Sequence, residues 1–383
     1  MKKLYLIKIL ILSIITALIL TYMISPNISR NTSNTIILKD KPIDISSIHD
    51  SQGFISIDQK SIYKFDKYID KIAWLNNEDL LLCYSYPLVS KGTIMEILNT
   101  STNETSSLDL LGSTSSNLIS PKGNSFLYNE IIPYKEYSKP SYSNSYNYFV
   151  DYSSTSYYSR EDKTFIKLPE NLSLMEWLPD GSGFIGRLNN FTSLVAYDIN
   201  TETSKLLLDN YSGLRIDQIV YIKVSKDGSK YYFSYLNSET GLYSIYRMDK
   251  NTLKPEKIIS DISISGEFEL VGNDLILLTN PAKRTIYTYD ISKHEKYKDI
   301  TTNSSTFYVS NDKSVLAYIE YSNNKSKSKI SVVSLNDPNY APTLVFETNS
   351  FINSVSWNNH NKLVFLSYDS YSSGSVIYTY SFK

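Results

Sequence analysis

The chain has 383 residues and nearly balanced charge, with 38 lysines and arginines against 39 aspartates and glutamates. This balance gives no support to a nucleic-acid partner, and it excludes the acidic excess that keeps many chains disordered. Tyrosine is abundant, at 34 residues, whereas glycine and proline number only 13 and 12, a composition that favours β-strands.

The first 25 residues are typical of a membrane segment. Residues 4–24 are almost wholly apolar and follow the basic start Met1-Lys2-Lys3. A helix of about 20 apolar residues spans a bilayer, and flanking lysines keep their end of the helix in the cytoplasm. We therefore expect residues 1–25 to be a membrane anchor, with the rest of a single-pass cell-membrane protein outside the cytoplasm.

A cleaved signal sequence is the alternative to this anchor, and the protein would then be secreted. The end of the apolar run, residues 20–25, lacks the pair of small residues at which signal sequences are cut. No cysteine directly follows the run, so a lipid-attached N-terminus is excluded. Residues 26–50, which are rich in polar residues at their start, are expected to be a linker.

Residues 51–383 repeat one turn pattern, in which an apolar strand leads into a turn and a second apolar strand. Proline presets φ in such turns, aspartate or asparagine caps them, and glycine adopts positive φ. Three clear copies lie at residues 119–127, 177–185 and 224–233, and four weaker copies begin at Trp74, Leu270, Val309 and Trp357.

Measured at one turn position, the copies recur every 39 to 58 residues, at Leu75, Ser120, Leu178, Ser225, Val271, Ser310 and Asn358. A period near 40–50 residues with about four short strands is typical of a propeller blade. We predict an all-β, seven-bladed β-propeller, with six or eight blades as alternatives. The last unit has room for three strands, so we expect residues 54–58 or 61–65 to complete it and close the ring.

The three tryptophans support this alignment, because Trp74, Trp177 and Trp357 each directly precede the turn of their unit. A tryptophan at a repeated strand position is expected to pack between blades, where its large apolar surface is buried.

At these turns the sequence resembles the TolB-type propeller repeats, which are WD-repeat-like units with a Trp/apolar-Ser-Pro-Asp-Gly core. The repeats are also similar to the propeller that precedes the hydrolase domain of prolyl oligopeptidase-like enzymes. The resemblance covers about residues 69–383. It implies a scaffold whose rims bind proteins, peptides or polysaccharide, and it specifies fold better than function.

The sequence contains no recognisable catalytic motif. There is no Gly-x-Ser-x-Gly elbow and no calcium loop, and the three histidines, His49, His294 and His360, have no partners at metal-ligand spacing. The single cysteine, Cys83, lies in an apolar run and is expected to be a buried structural thiol. We expect no metal, no cofactor and no enzymatic activity.

The longest spacing, 58 residues, contains an insertion within residues 133–159 that is rich in tyrosine, serine and asparagine. Such side chains make adaptable polar contacts at low entropic cost. The segment is expected either to bind a ligand or to be a solvated loop or extended hairpin. The candidate ligand-binding residues are Tyr134, Tyr137, Tyr142, Tyr146, Tyr148 and Tyr152.

These observations favour an extracytoplasmic, membrane-anchored module that binds or assembles a protein, a peptide or an envelope polysaccharide. The alternative is a propeller enzyme, of lyase or glycosidase type, that acts on an extracellular polymer. Such an enzyme needs clustered carboxylates near the channel, whereas the acidic residues here are scattered through turns. A pair of carboxylates at the channel would favour the enzyme, and a rim of tyrosine, serine and asparagine would favour the binding module.

Overall fold

The computed structural model describes residues 36–38, 55–84, 95–108, 110, 112–114, 118–133, 148–188, 191–210, 213–265, 267–272, 275–301, 304, 306–322, 327–337, 339–368 and 374–382. The apolar segment 4–24, expected to be the membrane anchor, lies outside these residues. Within them, no helix has the length and apolar character needed to span a bilayer.

The described residues form seven antiparallel sheets, six of which are built from strands that follow one another along the chain. Blade one contains β3 (Ile69–Trp74), β4 (Asp79–Tyr84), β5 (Met95–Asn99) and β6 (Glu104–Ser107). Blade two contains β7 (Gly112–Ser113), β8 (Ser125–Pro133), β9 (Tyr148–Ser159) and β10 (Thr164–Lys167). Blade three contains β11 (Ser173–Trp177), β12 (Gly183–Leu188), β13 (Ser193–Asp198) and β14 (Thr203–Asp209).

A short 3-10 helix, Ile216–Gln218, leads into blade four, which contains β15 (Ile219–Val224), β16 (Lys230–Leu236), β17 (Tyr243–Asp249) and β18 (Pro255–Ile262). Blade five contains β19 (Phe268–Leu270), β20 (Leu275–Asn280), β21 (Thr285–Asp290) and β22 (Glu295–Thr301). Blade six contains β23 (Phe307–Val309), β24 (Val315–Tyr321), β25 (Ser328–Ser334) and β26 (Pro342–Thr348). The predicted seven-bladed propeller is therefore confirmed.

Blade seven joins the two ends of the propeller. It contains β27 (Ile352–Trp357), β28 (Lys362–Tyr368) and β29 (Ser375–Phe382), and its fourth strand is β2 (Ile57–Phe65), which pairs antiparallel with β29. The predicted closure by an N-terminal strand is confirmed, and this strand contains all of the second candidate segment and the end of the first. A fifth strand, β1 (Ile36–Leu38), pairs with β2 and lies in the range expected to be a linker.

The first strand of each blade faces the centre, since the first strands of neighbouring blades contact one another, as β11 contacts β15 and β27 contacts β3. The turn after each first strand has the expected chemistry. In blade four, the Ser225 hydroxyl donates to the Asp227 carboxylate (2.6 Å) and accepts from the backbone amide of Lys230 (2.9 Å), while Gly228 has a φ of 69°. These contacts satisfy the polar groups of a tight turn.

Apolar clusters lie between adjacent blades and contain the predicted tryptophans. Trp177 is 5% exposed and belongs to a cluster that includes Leu127 of blade two and Phe184 of its own blade. Trp74 and Trp357 are likewise buried. The predicted packing of these side chains between blades is confirmed, and it fixes each first strand at the wall of the central cavity.

Candidate functional site

All seven blades contribute first strands and first turns to one central cavity of about 1080 Å³. Its wall combines aromatic, apolar and charged side chains, including Trp177, Tyr232, Leu270, Phe307 and Trp357. Ligand sites in proteins are commonly concave, of several hundred cubic ångströms, and largely apolar with a few placed polar groups. This cavity has those properties and opens among the Ser-Asp turns.

Three charged residues occupy the same blade position in consecutive blades. Glu176 in β11, Lys223 in β15 and Glu269 in β19 each directly precede the last residue of their strand. All three line the cavity. A β-bulge between Leu174 and Glu176 interrupts the pairing of β11 just before Glu176, and bulges redirect side chains in this way.

These residues form a continuous row of ion pairs. The Nζ atom of Lys223 lies 3.2 Å from Oε2 of Glu176 and 3.2 Å from Oε2 of Glu269. The Nζ atom of Lys313 lies 3.0 Å from Oε1 of Glu269. The side chain of Glu269 is 13% exposed and that of Lys223 is 20% exposed, so both charges are poorly solvated and depend on each other.

Burial and neighbouring charges separate the behaviour of the two carboxylates. Burial raises the pKa of Glu176, and Lys223 only partly offsets this effect. Burial also opposes ionisation of Glu269, but Lys223 and Lys313 outweigh it and lower the pKa of that carboxyl to about 2. Burial opposes the charge of Lys223, yet the two carboxylates prevail and raise the pKa of its ammonium group. At neutral pH, the Lys223 ammonium group and the Glu269 carboxylate of this row therefore remain charged.

A further carboxylate, Glu267, lies two residues before Glu269 and also lines the cavity. Burial raises its pKa, with an opposing effect of Lys223 and a reinforcing effect of Glu269. Burial raises the pKa of Tyr308 to about 12 and also raises that of Tyr221. The charge of Glu267 contributes a smaller part of both shifts. Glu267 thus has aromatic side chains beside it.

The tyrosine-rich insertion of blade two is only partly described. Tyr134, Tyr137, Tyr142 and Tyr146 lie outside the described residues, so their predicted ligand contact stays a prediction. Tyr148 and Tyr152 belong to the backbone of β9, which pairs with β8 as far as Pro133 and Tyr148. The insertion therefore extends a hairpin, one of the alternatives expected from the sequence, and residues 148–152 belong to its second strand. Because β8 begins at the first turn of its blade, this hairpin points to the opposite face.

The histidines and the cysteine occupy structural positions. His294 has a φ of 56° between β21 and β22, and His360 lies 2.7 Å from the Asn77 amide nitrogen, while His49 lies outside the described residues. Cys83 is buried, and burial raises the pKa of its thiol to about 12. In the described part of the chain, no group of three or more potential ligands could hold a metal ion.

The charged row is what sequence reasoning missed. The expectation that acidic residues are confined to turns was wrong for Glu176, Glu267 and Glu269, which line the cavity. The signal was available, because aligning the seven turns places glutamate, lysine and glutamate in one column of three consecutive blades. The anticipated distinction between an enzyme and a binding module therefore depends on what these carboxylates contact.

No protein-family model matches the chain, and no curated protein matches its sequence. Solved propellers share its fold. The propeller domain of the trilobed protease from Pyrococcus furiosus is 12% identical, with a TM-score of 0.57 over 83% of this chain and 97% of that domain. The propeller domain of Cps50 (Swd1) from Myceliophteria thermophila is 13% identical, with a TM-score of 0.53 over 85% of this chain and 99% of that domain.

TolB from Acinetobacter baumannii also matches, at 13% identity and a TM-score of 0.45, over 81% of this chain and 78% of that one. The propeller of the Pyrococcus protease has an open velcro topology, whereas β2 closes the ring here. At such identities the matches show fold and leave function open. The chain is a seven-bladed β-propeller, as its turns predicted.

Proposed function

We propose that the chain is an extracytoplasmic, membrane-anchored binding or assembly module whose ligand occupies the central cavity. The row formed by Glu176, Lys223, Glu269 and Lys313 is the observation that supports this function. Ion pairs hold these long side chains in place before a ligand arrives, which lowers the entropic cost of binding. A wall of alternating charge favours a polar partner of complementary charge, such as a protein or peptide segment.

A polymer-cleaving enzyme of lyase or glycosidase type is the second candidate, because two cavity carboxylates differ in pKa. The pKa of Glu176 is raised and that of Glu269 is lowered, which is the pattern expected of a general acid and its ionised partner. However, glycosidases leave about 5–9.5 Å between their carboxyl groups for the reacting bond. Here the Lys223 ammonium lies 3.2 Å from both and fills that place. This arrangement favours binding over cleavage.

Gly272 allows a direct test of the cavity. It lines the cavity, and the nearest atom to an added Cβ is the Leu275 Cβ at 4.0 Å, so a side chain can be added without a clash. We expect the full chain, in detergent, to bind members of a peptide or glycan array. Gly272→Trp should abolish this binding and Gly272→Ala should retain it. Equal binding by both variants would place the site elsewhere.

The same preparation tests the enzyme. Incubating the chain with extracellular polysaccharides and measuring new reducing ends or unsaturated sugars distinguishes cleavage from binding. We expect no product above that of the Glu176→Gln variant. Product that depends on Glu176 would establish the second candidate and contradict the first.

The membrane attachment is proposed from the apolar run 4–24 and the lysines that flank it. We expect mass spectrometry of the mature protein to find the original N-terminus, and protease added to intact cells to digest the propeller. A new N-terminus near Ser25 would indicate a secreted protein.

A further inference from the structure

Glu267 differs from the other glutamates of the cavity in having no ionic partner. Among the residues that the structure describes, Glu176 and Glu269 each contact a lysine ammonium group. Within this described part of the chain, no such contact and no hydrogen bond involves the Glu267 carboxylate. The five charged groups of the row and of Glu267 therefore comprise three carboxylates and two ammonium groups. A carboxylate that is poorly solvated and unpaired is costly, and a ligand cation would offset that cost.

The position of Glu267 within the cavity favours a long cationic side chain. Glu267 directly precedes β19, whereas the turn that opens the cavity follows this strand, so Glu267 lies further along the chain from that turn than Glu269 does. Leu270 and the buried Phe307 contribute apolar wall between the opening and Glu267. A lysine or arginine side chain buries an aliphatic stem against such a wall and keeps its charge at the tip.

The neighbours of Glu267 favour an organic cation over a metal ion. Tyr308, in the first strand of the next blade, lines the same cavity as Glu267, and Glu267 contributes to the raised pKa of its phenol. Aromatic faces attract ammonium and guanidinium groups. A metal ion would need several oxygen or nitrogen ligands, and the described residues contain no group of three that could supply them.

We infer that Glu267, which shares the cavity wall with Tyr308, binds the ammonium or guanidinium group of a lysine or arginine side chain that a peptide ligand inserts into the cavity. This inference rests on the proposed binding function and names its ligand. The inserted cation completes the alternation of charge that Glu176, Lys223 and Glu269 begin. The cavity then holds as many cations as carboxylates in this region.

The test uses three blocked tripeptides, acetyl-Gly-X-Gly-amide with lysine, arginine or norleucine at X, and the full chain in detergent. Ligand-observed NMR titration gives the dissociation constants. We expect the lysine or arginine peptide to bind at least tenfold more tightly than the norleucine peptide, since a charged hydrogen bond is worth about 1.5–3 kcal/mol and tenfold is about 1.4 kcal/mol. Equal binding of all three, or no binding of any, would overturn the inference.

Two variants locate the contact. Glu267→Gln keeps the shape of the side chain and removes its charge. We expect this variant to bind the cationic peptides about tenfold more weakly and to have an unchanged or raised thermal stability. Glu170→Gln, on an exposed turn, should bind as the unmodified chain does. If Glu267→Gln binds the peptides as the unmodified chain does while Gly272→Trp no longer binds them, this inference is wrong and the proposed function stands. Unchanged binding in Gly272→Trp also contradicts the proposed function.

The same titration separates a peptide from an amino sugar. A chitosan tetramer carries ammonium groups on a polar chain, whereas a chitin tetramer is neutral. We expect neither to compete with the lysine peptide. Competition by chitosan that depends on Glu267 would make the ligand a polysaccharide and contradict the assignment to a peptide.

Discussion

The ammonium group of Lys313 lies 3.0 Å from the carboxylate of Glu269, although Lys313 occupies a backbone position that favours glycine. Its φ is 64°, and the corresponding residue in the turn of blade four is Gly228, with a φ of 69°. A side chain in this left-handed region costs about 1 kcal/mol or more. The chain therefore accepts backbone strain at the one turn whose lysine extends the charged row.

Replacing Lys313 separates strain from charge. Lys313→Gly relieves the strain and loses an ion pair that is worth at most about 1 kcal/mol at its 40% exposure. We expect its free energy of unfolding to equal or slightly exceed that of the unmodified chain. Lys313→Ala loses the ion pair and keeps the strain, so it should be about 1 kcal/mol less stable than Lys313→Gly. Chemical denaturation measures the free energy of unfolding of both variants. Equal values would contradict the claim that Lys313 strains the backbone at this position.

Glu269 gives the row a defined pH dependence. Its pKa falls from 4.5 to about 2 because two lysines outweigh burial. The stabilisation is present above pH 4.5 and is lost as the pH falls towards 2, since the folded protein holds this carboxylate ionised more strongly than the unfolded chain does. We expect Glu269→Gln to cost about 2–3 kcal/mol near pH 7, and the difference from the unmodified chain to shrink between pH 4.5 and 2. A difference that is independent of pH would contradict these ion pairs.

Much of the fold follows from local chemistry that the sequence displays. Each turn contains proline, glycine, aspartate or asparagine because a tight hairpin favours them, so the blade count and the closing strand could be predicted. The charged row was missed because Glu176, Lys223 and Glu269 lie 46 or 47 residues apart, and only an alignment of the seven turns brings them into one column. They meet only after the blades are arranged around one axis. The strand at residues 36–38 was missed because polar residues precede it and its partner is distant.

The buried tryptophans test the blade alignment. Trp177 is 5% exposed and contacts Phe184 at a ring distance of 5.9 Å. We expect Trp177→Ala to lower the free energy of unfolding by about 3–5 kcal/mol, since it leaves a cavity between blades. Phe165, which is 50% exposed, is the control, and Phe165→Ala should cost under about 1 kcal/mol. Similar melting temperatures for the two variants would show that the blade alignment is wrong.

The tyrosine-rich hairpin of blade two is a second proposed contact surface. Replacing residues 137–146 with a short Gly/Ser turn should leave the melting temperature unchanged, because the described strands end at Pro133 and begin again at Tyr148. Extending the deletion through residue 152 should destabilise the blade, since it removes the pairing of Val150 with Ile131. Array binding that survives the shorter deletion would exclude this surface and leave the cavity as the site.

Photo-crosslinking tests the central claim most directly. The tightest ligand from the array, carrying a diazirine beside its cationic side chain, is irradiated on the full chain, and the modified residues are mapped by mass spectrometry. We predict adducts on the cavity wall, at Tyr308 or Gly272, and their loss when unlabelled ligand is added in excess. Adducts confined to the blade-two hairpin or to the outer strands would contradict a binding site in the central cavity.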